Sequence, residues 1–197
     1  MPVNADAPVA KWPMAGGSRA TDPALMRTTA TLIALGLTLL AFGATSQEAT
    51  IYEKLAQASI AEIQSGKLAQ GMGTTAEVRA FGAMMVEQHS DANEKLAALA
   101  NAKGVTLPSA PTEDQINTLK LLHGRPGASF DKAYLAEQVR AHEEALRLLK
   151  TQINSGDDAD LTAFAQQMVP TVESHLRMAY QLSGKEGKAE AMPPPEK

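Results

Sequence analysis

Cysteine is missing from the whole 197-residue chain. That removes disulfides, thiolate nucleophiles, iron–sulfur clusters and cysteine-based zinc sites together, along with lipid attachment at an N-terminal cysteine. Aromatic residues make up 4%, with one Trp, three Tyr and four Phe, so the core has to be built mainly from aliphatic side chains. There is no basic run, and the formal net charge is -4 at pH 7. Without a cluster of cations to neutralise phosphates, nucleic acid and anionic membranes are disfavoured as partners. Paired catalytic carboxylates, a nucleophilic triad and a phosphate-cradling glycine loop are missing too. The one long apolar run, Thr31 to Ala44, falls short of the roughly 20 residues that a comfortable membrane span requires.

What is present is Ala, Leu and Met in abundance, within 44% hydrophobic residues, a helical composition with enough apolar content for one core. Met1 to about Ala24 is rich in Pro, Gly and Ala and has no periodicity. Arg27, the apolar run and the small residues Ala44-Thr45-Ser46 then follow in the order of a secretory signal peptide. Cleavage is expected after Ser46, with Ala44 as the second choice. Met26 stands where a signal peptide should begin, so translation is expected to start there, the alternatives being a genuine long leader or an uncleaved anchor. The domain plan is a leader and signal peptide over 1–46, a bundle domain over 47–183 and a disordered tail over 184–197. The protein is expected in the periplasm or secreted, membrane-anchored if the signal is not cleaved, and without a transmembrane segment after cleavage.

The remaining 150 or so residues amount to one domain and punctuate themselves into helices. Thr50-x-x-Glu53 reads as a capping box that opens the first helix, closed by Gly71 and Gly73. Thr74-x-x-Glu77 opens the second, closed by Gly104. Phe81, Met85, His89, Ala92, Leu96 and Leu99 recur on it at steps of three or four, which places them on one face. Gly104 to Ser129 holds Pro108, Pro111, Pro126 and three glycines, the marks of a connection; Thr112-x-x-Gln115 opens a short helix within it that ends near His123. A third long helix is expected from about Phe130 to Ile153, with Leu135, Val139, His142, Leu146 and Leu149 on its stripe. The fourth, from about Asp158 to Leu182, carries Leu161, Phe164, Met168, His175, Met178 and Leu182. Two short loops and one long connection predict an all-α, ferritin-like four-helix bundle, with a single crossover between the second and third long helices.

The segments GKLAQ, FGAMMVEQHSDANEKLAALANAKGVTLP, FDKAYLAEQVRAHEEALRLL and LTAFAQQMVPTVESHLRMA resemble the ferritin-like bacterial family catalogued as domain of unknown function 4142. The resemblance covers about Thr50 to Leu182 and implies a ferritin-like bundle in an exported bacterial protein, with no established activity. Members of that family are often labelled putative outer-membrane proteins, but a chain without alternating strands cannot form a barrel.

His89, His142 and His175 each fall on the inward stripe of a different long helix, and Glu62 does so on the first. Bundles build metal sites this way, from side chains converging on the axis. The alternative for each is a core residue bonded to its neighbours. Heights estimated from the helix ends pair His89 with His142 and set Glu62 with His175 about 10 Å away. Ferritin-type di-iron chemistry is not implied, because Val86, Val139 and Val172 occupy the positions where Glu-x-x-His would put carboxylates. Asp131 is expected at a helix N-terminus, Tyr134 in the core, and the methionines as packing. Two functions follow: a non-enzymatic exported bundle acting in the envelope or in stress, or a metal-binding protein using Glu62, His89, His142 and His175 for a divalent transition metal. Homo-oligomerisation stays open.

Overall fold

The computed structural model describes residues 46–185, 188 and 190–192. The leader, its apolar run and Met26 lie outside the described residues. Five helices are present, α1 (Ser46–Met72), α2 (Ala76–Ala102), α3 (Glu113–His123), α4 (Ala128–Ser155) and α5 (Ala159–Leu182), with no strand among the described residues. None of these helices is long and apolar enough to cross a membrane.

Local chemistry explains most boundaries and moves two of those expected. The capping box at Thr112 forms as its spacing requires: Thr112 Oγ1 accepts from Gln115 N at 3.2 Å, and Gln115 Oε1 accepts from Thr112 N at 2.8 Å. Asp158 caps α5 by accepting from Asp160 N and Leu161 N at 2.9 and 3.1 Å. The cap of α2 is Thr75, whose hydroxyl accepts from Val78 N; Thr74, the expected cap, is bound to Asp131 across the bundle instead. Thr50 caps nothing. It lies inside α1 and donates its hydroxyl to Ser46 O at 2.9 Å, a back-bond that leaves the helix intact. Gly71 likewise lies within α1, whereas Gly104, at φ 71°, does end α2. Pro170 sits inside α5, which continues past it to Leu182.

The helices pack in a closed cycle: α1 on α2, α2 on α5, α5 on α4 and α4 on α1, with α3 laid over α1 and α4. Hydrogen bonds between α1 and the α4–α5 hairpin give the direction. Tyr52 reaches Asp158, Glu62 reaches Gln138 and Thr74 reaches Asp131, so α1 and α4 run antiparallel and α2 runs parallel to α4. The α1–α2 hairpin is held close by paired glycines. A Cβ on Gly82 would fall 2.7 Å from both Ala69 Cβ and Gly66 O, and only the missing side chain lets the two backbones approach this far.

Tyr52, Phe81, Met85, Leu96, Phe130 and Tyr134 are among the largest fully buried side chains, each contributing on the order of 2 kcal/mol through its apolar area. Of the tail expected to be disordered, Lys188 Nζ lies 5.7 Å from the Tyr180 ring centroid and Met192 rests against the core.

Candidate metal centre

Three helices deliver the histidines to one place. Because α4 and α5 form a hairpin, heights on them are comparable only when counted from their shared turn, and on that count His142 and His175 lie within about one helical turn of each other. The parallel run of α2 and α4 brings His89 to the same level. One nitrogen from each of His89, His142 and His175 lies within 4.8 Å of the other two, and the ring centroids are 5.3 to 5.7 Å apart. The two-tier arrangement expected from the sequence is therefore replaced by one three-histidine cluster. That expectation failed because it measured α5 from its free end, although α5 is shorter than α4.

Glu62 does not join the three rings. Its Oε2 accepts from Gln138 Nε2 at 2.6 Å and from Ser65 Oγ at 3.3 Å. Asp131, at the start of α4, accepts from Thr74 N, and Tyr134 is fully buried with no partner for its hydroxyl. The fourth histidine, His123, is exposed at the end of α3.

Hydrogen bonds to the outer nitrogens determine what the inner ones can do. His142 Nδ1 lies 2.8 Å from the backbone oxygen of Gln138. A carbonyl only accepts, so Nδ1 carries the proton and Nε2 presents an electron pair. His175 Nε2 lies 2.7 Å from Gln88 Oε1 and donates to it, which leaves Nδ1 bare. These two unprotonated nitrogens face one another at 3.2 Å. Two electron pairs do not bond; an extra proton or a metal ion between them resolves the contact. A tetrahedral ion with nitrogens at about 2.0–2.1 Å holds neighbouring ligands roughly 3.3 Å apart, close to the separation found.

Burial favours the unprotonated form of His89 and His175. It pushes the His89 pKa well below its ordinary value, helped by His142 and His175, and holds His175 down to about 3, with His142 adding to the effect. His89 Nε2 is buried without a hydrogen-bond partner. Metals take imidazole in its neutral form, and ligand histidines commonly donate their second N–H to a carbonyl or amide oxygen. His142 on Gln138 and His175 on Gln88 follow that pattern. Burial also raises the pKa of Glu62, against the pull of His142 and the Gln138 amide.

Residues 41–182 match the family model described as Domain of unknown function (DUF4142). The chain belongs to the DUF4142 family. Among solved structures, this DUF4142 chain is similar to the crystal structure of a DUF305 fragment from Deinococcus radiodurans, at 14% identity and a TM-score of 0.65, covering 73% of this chain and 99% of that one. At that identity the likeness speaks for the fold alone. No curated protein matches the DUF4142 chain.

The cluster of this DUF4142 chain opens on a cavity of about 660 Å³ roofed by α3, with Glu62, Ser65, His89 and His142 on its wall. A bound ion would thus be reachable from a space larger than itself. Gln88, Gln138 and Ser65 were not singled out in the sequence. The available signal for Gln138 was its place one turn before His142 on the same stripe; nothing comparable marked Gln88, which lies next to His89 in sequence yet serves His175.

Proposed function

We propose that this protein is an exported, non-enzymatic bundle of ferritin-like topology that binds a divalent transition metal through His89, His142 and His175. The observation that carries the reading is the contact between His142 Nε2 and His175 Nδ1, two nitrogens whose protons are committed elsewhere, beside a third buried imidazole. Three imidazoles suit zinc, copper, nickel or iron, and three protein ligands leave a coordination position open. Glu62, on the same cavity wall, supplies a carboxylate next to that position. Export is supported by Arg27, the apolar run and Ala44-Thr45-Ser46, with the periplasm or the exterior as destination. The antiparallel α1–α4 pair and the connection between Lys103 and Gly127, with α3 inside it, support the ferritin-like crossover. The carboxylates of a ferritin-type di-iron site are missing three residues before each histidine, so iron oxidation is not part of the proposal.

The test is metal analysis of untagged protein, together with melting in the presence of zinc, copper or iron. About one equivalent per chain is expected, with a rise in Tm that His142→Ala and His175→Ala abolish. A second reading has support of its own, because His142 and His175 each have neighbours at both ring nitrogens and could serve as structural hydrogen-bonding groups. Protein that co-purifies without metal, and whose Tm ignores all three ions, would establish that reading and end the first.

A further inference from the structure

The cavity beside the histidines is larger than a metal site needs. Its volume, about 660 Å³, falls within the range of small-molecule pockets. Its walls divide by chemistry. Leu55 and Ala58 of α1, Leu119 and Leu122 of α3, and Leu148 and Met168 of α4 and α5 give an aliphatic body. Glu62, Ser65, His89 and His142 give a polar patch on the α1, α2 and α4 walls, with no Lys or Arg of the lining among these buried groups. The lining cations Lys54, Arg140 and Arg147 are on exposed positions, and Arg140 is already paired with Glu137 and Glu144.

We infer that the cavity is a binding site for a small aliphatic molecule whose head donates hydrogen bonds, an alcohol or an amine, with its chain against the leucines and its head at Glu62 and the histidines. The polar patch favours a donor for a direct reason. Glu62 Oε2 already accepts from Gln138 Nε2 and Ser65 Oγ, which marks this wall as an acceptor surface, and His89 Nε2 in the same patch is buried without a partner, where a hydrogen bond gains most. A carboxylate head would instead set acceptor oxygens against the acceptor oxygen of Glu62, with no Lys or Arg at that depth to offset its own charge. The roof suits entry of such a ligand. α3 is 11 residues long, lies chiefly on α1 and α4, and is flanked by Gly104 and Gly127, both at positive φ.

The inference does not depend on the metal, so its test begins on chelator-treated, full-length protein. Titration calorimetry with octanol, octylamine and octanoate is expected to give one saturable site for the alcohol and the amine, and at least about tenfold weaker binding of octanoate. Ala145→Phe, which fills the cavity from α4, should abolish binding while the helical circular dichroism is kept; Ala58→Phe provides the same test from α1 should the first variant not fold. Glu62→Gln should weaken octylamine more than octanol. No saturable binding by the wild type, equal binding of octanoate, or full binding by a folded cavity-filling variant would overturn the inference. The same titration repeated after zinc loading reports on the metal separately: a protein that takes octanol but no zinc loses the metal reading and keeps this one.

Discussion

Two buried polar clusters sit at different heights in this bundle, and they are built on opposite principles. At the end near the α4–α5 turn, Asp158 accepts from two backbone N–H groups, from the Tyr52 hydroxyl at 3.1 Å and from Lys103 Nζ at 3.2 Å. Burial alone would raise its pKa, but the Leu161 N–H, Lys103 and Tyr52 hold it below the usual carboxylate value. That cluster ties α1, α2 and α5 together and leaves the carboxylate saturated. In the middle layer His142 Nε2 and His175 Nδ1 put electron pairs toward each other, and His89 Nε2 has no hydrogen-bond partner. A saturated cluster stabilises a fold; an unsaturated one is costly unless something binds there. The difference sets the proposed site apart from the architecture around it.

Substitutions should divide along the same line. The largest effect is expected from His89→Leu, which should eliminate metal binding while leaving the melting temperature of the metal-free protein unchanged or slightly raised, since it removes an unpartnered buried polar atom; calorimetry and melting of one sample read both. Asp158→Ala should do the reverse, costing about 3 kcal/mol in urea unfolding, through the lost cap and the partners left behind, with metal affinity retained. Gln88→Ala removes the acceptor that fixes the His175 tautomer and should weaken metal binding about 10- to 100-fold, with stability little changed. Gly82→Ala, on the α1–α2 contact, should cost about 1–3 kcal/mol by forcing the backbones apart, visible as a lower urea midpoint.

Acid sharpens the comparison further. His175 is held down to about 3 against 6.5 in the unfolded chain, so the unfolded state takes up the proton first. The stability tied to His175 is complete above pH 6.5 and declines as the pH falls toward 3. Asp158, also depressed, holds its contribution until the pH drops below 3.8 and through its folded value. Metal-free protein should therefore lose stability in two stages on acidification, and His175→Leu should shrink the upper one, to which the buried His89 also contributes.

The helices were legible because their stripes and glycines are local signals, and the Thr112 box formed as its spacing required. Caps were less so: Thr74 and Thr75 are both competent, and the choice between them was made by Asp131, 57 residues away. The histidines were legible as inward residues, because each interrupts an apolar stripe. Their convergence was not, since it depends on measuring α5 from the hairpin turn it shares with α4. Gln88 was beyond reach, as its partner is 87 residues distant and lies on another helix. The Asp158 cluster escaped for the same reason: its cap role is local, but Tyr52 and Lys103 arrive from α1 and from the C-cap of α2.

X-ray absorption at zinc bound to untagged protein tests the central claim most directly, because it counts imidazoles around the ion. The account predicts three nitrogen ligands at about 2.0–2.1 Å with imidazole scattering, and no such signal from His175→Ala, which should hold no zinc. A spectrum with no more than one imidazole, or one that His175→Ala leaves unchanged, would contradict it.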